Sequence, residues 1–144
     1  MLDGKTILIT GGTGSFGNKF TETILKKYKP KKVIIFSRDE FKQYEMSQRF
    51  PTEKYPIRYF LGDIRDQARL NRAFEGVNYV VHAAALKQVP ALEYNPMEAV
   101  KTNILGAAHI VEAANDQGIE KVLALSTHKA SNPINLYDAT KLAE

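Results

Sequence analysis

Apolar and polar residues alternate in blocks along this chain. "KTILIT" (5–10), "KVIIF" (32–36), "IRYFL" (57–61), "YVVHA" (79–83) and "KVLALS" (121–126) are short, largely apolar runs. Apolar at consecutive positions, they predict strands buried on both faces, which favours a parallel sheet. Between them the period changes. Phe16, Phe20, Ile24 and Tyr28 recur at four-residue intervals and predict one apolar helix face. Further helices are predicted from about Asp39 to Phe50 and from Asp66 to Phe74. The longest opens at Asn95-Pro96, an N-cap followed by proline at the first helical position. Its apolar stripe is Met97, Val100, Ile104, Ala107, Val111 and Ala114, and Gly118 closes it. This alternation describes an α/β fold: a doubly wound parallel sheet in three layers, with helices on both faces. No internal repeat, low-complexity tract or linker interrupts it, so residues 1–144 read as one domain.

Composition narrows the classes. With 144 residues, 44% hydrophobic and 25% charged, the chain can build one core and is not disordered. The net charge of +4 is mild, and "KKYKPKK" at 26–32 is its one dense basic run, read as a solvated helix end and loop. No aromatic platform accompanies it, so no nucleic-acid partner is expected. The absence of cysteine removes disulfides, thiolate nucleophiles and cysteine metal sites, and three scattered histidines make no zinc site. With no signal segment and no long apolar stretch, a cytoplasmic protein without a membrane partner is expected.

"TGGTGSFG" at 10–17 falls in the first strand-to-helix turn. In doubly wound sheets that turn receives a dinucleotide pyrophosphate, bound by backbone amides at the helix N-terminus. Gly11-x-x-Gly14-x-x-Gly17 is not the common G-x-G-x-x-G spacing, but it serves the same ends: a tight turn, close backbone approach, and close packing of helix on strand. Thr13, Ser15 and Phe16 lie in the same turn and join the expected cofactor contacts. About 20 residues on, an NAD site carries an acidic residue for the ribose hydroxyl. Here the second strand ends in Ser37-Arg38, a hydroxyl and a guanidinium suited to a 2′-phosphate, so NADP is favoured and NAD remains possible. Asp39 is the acidic residue that argues for NAD instead, although its expected task is to cap the next helix. In "GDIRD", Asp63 and Ile64 stand where an adenine could find one hydrogen bond and one apolar contact, although Asp63 could equally serve an ordinary turn.

The fourth strand leads into "HAAALKQVP", where Ala83, Ala84 and Ala85 are small enough for a backbone passing close to a ribose. His82 reads as a core histidine rather than a catalyst. Asn103, inside the long helix, is expected to support the site through backbone or water. The fifth strand ends in Ser126-Thr127, and Tyr137-x-x-x-Lys141 follows. On a helix those two side chains share a face one turn apart. The Lys141 ammonium would favour the Tyr137 phenolate and make it a usable base, and it could also bond the nicotinamide ribose. Thr127 could orient a substrate hydroxyl.

At these residues the sequence resembles the extended short-chain dehydrogenase/reductase family, whose domain is a Rossmann fold. Within it, "TGGTGSFG", "FSRDE", "GDIRD", "HAAALKQVP", "EYNPMEAVKTNI" and "NPINLYDATKL" closely resemble the inverting UDP-N-acetylglucosamine 4,6-dehydratases, which open the route to the bacterial surface and flagellar sugar pseudaminic acid. The resemblance implies a UDP-N-acetylglucosamine or related nucleotide-sugar substrate, a retained NADP and a homo-oligomer. It implies that Tyr137 takes the C4 hydroxyl proton as hydride leaves C4, and that Lys129 removes the proton at C5. An acid at position 128 would assist departure of the C6 hydroxyl, before hydride returns to C6 and C5 is reprotonated from the opposite face. Lys87 and Thr127 would contact the sugar.

The family pattern reads Thr-Asp-Lys and later Leu-Tyr-Gly, whereas this chain has His128 and Asp138. Family chains are about twice this length, so an N-terminal portion, ending before the substrate domain, is expected. Two other readings stay open: a 4-epimerase using the same Tyr137 and Lys141, and a dinucleotide-binding module without catalysis.

Overall fold

A computed structural model describes residues 1–83 and 104–125. Five parallel strands, β1 (Thr6–Thr10), β2 (Lys32–Ser37), β3 (Ile57–Leu61), β4 (Tyr79–His82) and β5 (Lys121–Ala124), form one sheet in the order β3-β2-β1-β4-β5. The order reverses direction between β1 and β4, the topological switch point of a doubly wound sheet. Helices α1 (Ser15–Lys27), α2 (Glu40–Arg49) and α3 (Gln67–Ala73) follow the first three strands, and α4 (Gly106–Gln117) precedes β5.

Strand side chains point alternately to the two faces, and each face has its own core. Ile7, Ile9, Val33, Ile35 and Val81 meet Ile24 of α1 and Met46 of α2. Leu8, Ile34, Phe36 and Val80 meet Leu70 and Ala73 of α3 and Ile110, Ala113 and Ala114 of α4. This is the expected three-layer architecture, with the described helices in one pair on each face.

Three expectations are corrected. Burial on both faces holds for β1 and nearly all of β2, but not for β3 or β5, which flank the described sheet. Leu61, Val122 and Leu123 are exposed, because an outer strand has a neighbour on one side only. Tyr28 does not extend the apolar face of α1: the helix ends at Lys27 and Tyr28 is extended and exposed, although its N–H still donates to the Ile24 carbonyl. In α4 the buried face is Gly106, Ile110, Ala113 and Ala114, while Ile104 and Val111 are exposed. Apolar residues occur on both sides of this helix, so the period alone admitted two phases.

The caps follow the local chemistry. Asp39 accepts a hydrogen bond from the Lys42 N–H at the start of α2, and Asp66 accepts one from the Arg69 N–H at the start of α3. Gly118 ends α4 in the left-handed conformation. The basic run sits where expected, in the last turn of α1 and the loop before β2. The proposed helix start at Asn95-Pro96, Met97, Val100 and Ser126 lie outside the described residues.

Candidate functional site

A cleft of about 270 Å³ opens at the carboxyl end of β1, β2 and β3. It is lined by Gly11 and Thr13 from the glycine turn, Phe36 to Asp39 from the end of β2, Lys42 of α2, and Gly62 to Ile64 after β3. Three loops separated in sequence converge because parallel strands end on the same edge. The ladder continues into the loops: the Gly11 N–H donates to the Phe36 carbonyl at 2.8 Å, and the Gly62 N–H to the Ser37 carbonyl at 2.9 Å.

The glycine turn is shaped by two requirements. Gly11 has φ +64°, a backbone conformation that costs side-chain-bearing residues energy. Gly17 packs so tightly on the turn that a Cβ there would overlap the Gly12 carbonyl. Asn18 braces the turn, its Nδ2 donating to the Thr13 and Gly14 carbonyls at 3.0 Å each. Helix α1 begins with neither a side-chain cap nor an acidic residue in its first turn. Such an end suits an anion, since unpaired amides and the positive end of the helix dipole point at it. Ser15 opens α1 and is exposed, whereas the Phe16 ring turns to the core and stacks on Phe20 at 5.3 Å.

At the other end of the cleft, Ser37, Arg38 and Lys42 bring a hydroxyl and two cations together. Asp39 is engaged as the α2 cap. Asp63 is engaged by Arg65, whose Nη2 donates to Oδ2 at 2.8 Å and whose N–H donates to Oδ1 at 2.9 Å. Arg38 Nη1 lies 3.8 Å from the same carboxylate. Burial acts to raise the Asp63 carboxyl, but the Arg65 hydrogen bonds and the charges of Arg65 and Arg38 outweigh it and hold it below its ordinary range. Asp63 thus stands in the cleft as an ion whose main partner is its own turn, while Ile64 is buried beside it.

Ala83 is buried and donates its N–H to the Thr10 carbonyl and hydroxyl, both at 3.1 Å, and it does not line the cleft. His82 is fully buried and shares a 2.7 Å hydrogen bond with Thr10, the placement of a core histidine. Ala84, Ala85, Lys87, Asn103, Thr127, His128, Lys129, Tyr137 and Lys141 lie outside the described residues. Four lining residues, Phe36, Asp39, Lys42 and Gly62, were not among the expected cofactor contacts. Lys42 stands one helical turn after Arg38, and Gly62 directly follows the third strand; both were visible signals.

Fold and cleft define the class: a Rossmann-type α/β domain with a glycine turn at its first strand-to-helix junction. The chain belongs to the polysaccharide biosynthesis protein family, whose profile matches residues 7–144. It is 57% identical over 143 residues to a UDP-N-acetylglucosamine 4,6-dehydratase (inverting) of Campylobacter jejuni, covering 99% of this chain and 42% of that one. It is 49% identical over 140 residues to a UDP-glucose 4-epimerase of Rickettsia bellii, covering 95% and 40%. Among solved structures it is similar to Pen from Bacillus thuringiensis, at a TM-score of 0.94 and 43% identity, covering 99% of this chain and 43% of that one. The chain spans less than half the length of these proteins. Among the described residues no helix is long and apolar enough to cross a membrane.

Proposed function

We propose that this chain is the dinucleotide-binding part of a C5-inverting UDP-N-acetylglucosamine 4,6-dehydratase with a retained NADP, a carbon–oxygen lyase of surface-sugar biosynthesis. The observation that carries the reading is the cleft itself. An uncapped helix start behind a glycine turn lies at one end, and Ser37, Arg38 and Lys42 converge at the other. That arrangement fits a ligand with a pyrophosphate and a second phosphate about one nucleoside away. Likeness to the Campylobacter jejuni enzyme supports the reaction.

The bound dinucleotide would supply the hydride acceptor. In this reading Tyr137, assisted by Lys141, takes the proton of the C4 hydroxyl, and Lys129 takes the proton at C5. His128 stands where the family places an acid for the departing C6 hydroxyl, with Thr127 and Lys87 orienting the sugar. Ala83 to Ala85 and Asn103 complete the cofactor's surroundings. The working protein is a cytoplasmic homo-oligomer.

A 4-epimerase is the second reading, supported by the Rickettsia bellii likeness and by histidine in place of the acid. Incubation with UDP-N-acetylglucosamine in D2O, followed by NMR, separates the two. Deuterium at C5 with loss of the C6 hydroxyl supports the dehydratase. Inversion at C4 alone supports the epimerase, and retained cofactor binding without turnover reduces the assignment to a binding module.

A further inference from the structure

Gln43 is a polar side chain on the buried face of α2, 8% exposed, where the neighbouring buried position is Met46. It does not line the cleft; it lies behind Ser37, which does. Its Nε2 is 3.1 Å from the Phe60 carbonyl, 3.5 Å from the Ser37 carbonyl and 3.0 Å from Ser37 Oγ. Carbonyl oxygens only accept, so the amide must present its NH2 group to them, and this settles its orientation. Ser37 Oγ, facing the same NH2, must accept as well. The single hydroxyl proton of Ser37 is thereby turned away from Gln43, and among the described residues nothing accepts it.

We infer that Gln43 is a specificity-positioning residue, which holds the Ser37 hydroxyl as a hydrogen-bond donor toward the 2′ position of the cofactor's adenosine ribose. The inference rests on the NADP reading of the cleft. A 2′-phosphate offers only acceptors and carries charge, so a donor held in place bonds it strongly. A 2′-hydroxyl is better served by an acidic acceptor, and the one that follows this strand end, Asp39, is engaged as the α2 cap. Gln43 thus selects between the two dinucleotides without touching either. Its bond to Phe60 on β3 also ties the serine to the neighbouring strand, which limits how far the hydroxyl can turn.

The test is the ratio of NADP to NAD affinity, measured by calorimetry on this chain and its variants, with thermal melting to follow folding. Gln43→Met keeps the length and removes the donor; it is expected to lower the ratio about 5- to 10-fold, the size of a weakened bond to a charged group. On a Ser37→Ala background the same change is expected to leave the ratio unmoved. If Gln43→Met fails to fold, Gln43→Glu replaces it: a carboxyl facing these carbonyls is held neutral, gives its one proton to the Phe60 carbonyl and leaves an oxygen that accepts the Ser37 proton, so the ratio falls as well. A wild-type preference for NADP that survives these substitutions, or equal losses for both dinucleotides, overturns the inference alone. A wild-type protein that binds both equally overturns the NADP reading beneath it.

Discussion

Thr10 Oγ1 and His82 Nδ1 lie 2.7 Å apart, joining the last residues of β1 and β4 where the strand order reverses. Both are buried, and the Thr10 hydroxyl also accepts the Ala83 N–H. Leaving buried partners without this hydroxyl costs about 1–3 kcal/mol. Thr10→Val is therefore expected to lower unfolding free energy by that amount in urea titrations, while Thr10→Ser keeps most of it. Equal stability of Thr10→Val and wild type would show that the bond contributes nothing.

The glycine turn separates a packing requirement from a binding one. A methyl group at Gly17 collides with the Gly12 backbone, and overpacking against backbone that cannot yield costs ~3 kcal/mol or more. At Gly14 an added Cβ meets only the Gly11 carbonyl, at an ordinary 3.5 Å. Gly17→Ala should melt well below the wild type. Gly14→Ala should fold normally and bind dinucleotide more weakly, because its methyl stands at the helix start. Melting curves and cofactor titrations on the two variants check the contrast, and similar stability for both would refute it.

How much of this could be read beforehand depends on whether a residue's task is local. The glycine turn, the Asp39 cap and the Ser37-Arg38 strand end follow from short-range rules, and the structure places them together. The phase of α4 was misread because Ile104 and Val111 on one side are as apolar as Ile110 on the other; only the sheet selects between them. Gln43 was not legible at all. Its role depends on a carbonyl of β3, 17 residues away, and no spacing rule connects them.

Arg38 and Lys42 are the two cations among the described residues that line the cleft, and in the proposed NADP reading a 2′-phosphate would meet both. Arg38→Ala is expected to weaken NADP by about 1–3 kcal/mol, the range for a lost charge-assisted bond, and NAD much less. Lys42→Ala should act in the same direction, with a smaller effect on NAD than on NADP. Titration of both cofactors against each variant measures this, and equal losses would remove the 2′-phosphate assignment.

The Asp63–Arg65 fork gives stability a pH dependence. The folded carboxyl is held below its ordinary range, so its contribution is fully present above the unfolded value, near ~3.9. It is lost as pH falls from there through the lower folded value. Because the ion pair keeps contact with solvent, the contribution is about 0.2–1 kcal/mol. Urea midpoints taken from neutral pH down through the carboxylate range should fall less steeply for Asp63→Asn than for wild type. Parallel curves would mean the fork does not couple to folding.

Position 128 carries the sharpest functional expectation. In the proposed dehydration the C6 hydroxyl leaves as water, and a proton must reach that oxygen as its bond to carbon breaks. A carboxylic acid can donate it, and so can an imidazolium, but the family pattern carries aspartate at this position, and the imidazole brings its proton on a bulkier ring of different reach. His128→Asp, in a chain long enough to turn over substrate, should therefore raise kcat while leaving NADP affinity nearly unchanged, since the acid acts only on the leaving group. General acid catalysis contributes ~10²–10⁴-fold, and because histidine retains part of that ability the gain should lie at or below the lower end. The pH–rate profile distinguishes the cause. The histidine enzyme should gain activity as pH falls and the imidazole protonates, and the aspartate variant should show that gain at lower pH. A variant with unchanged kcat and an unchanged profile would take position 128 out of the chemistry.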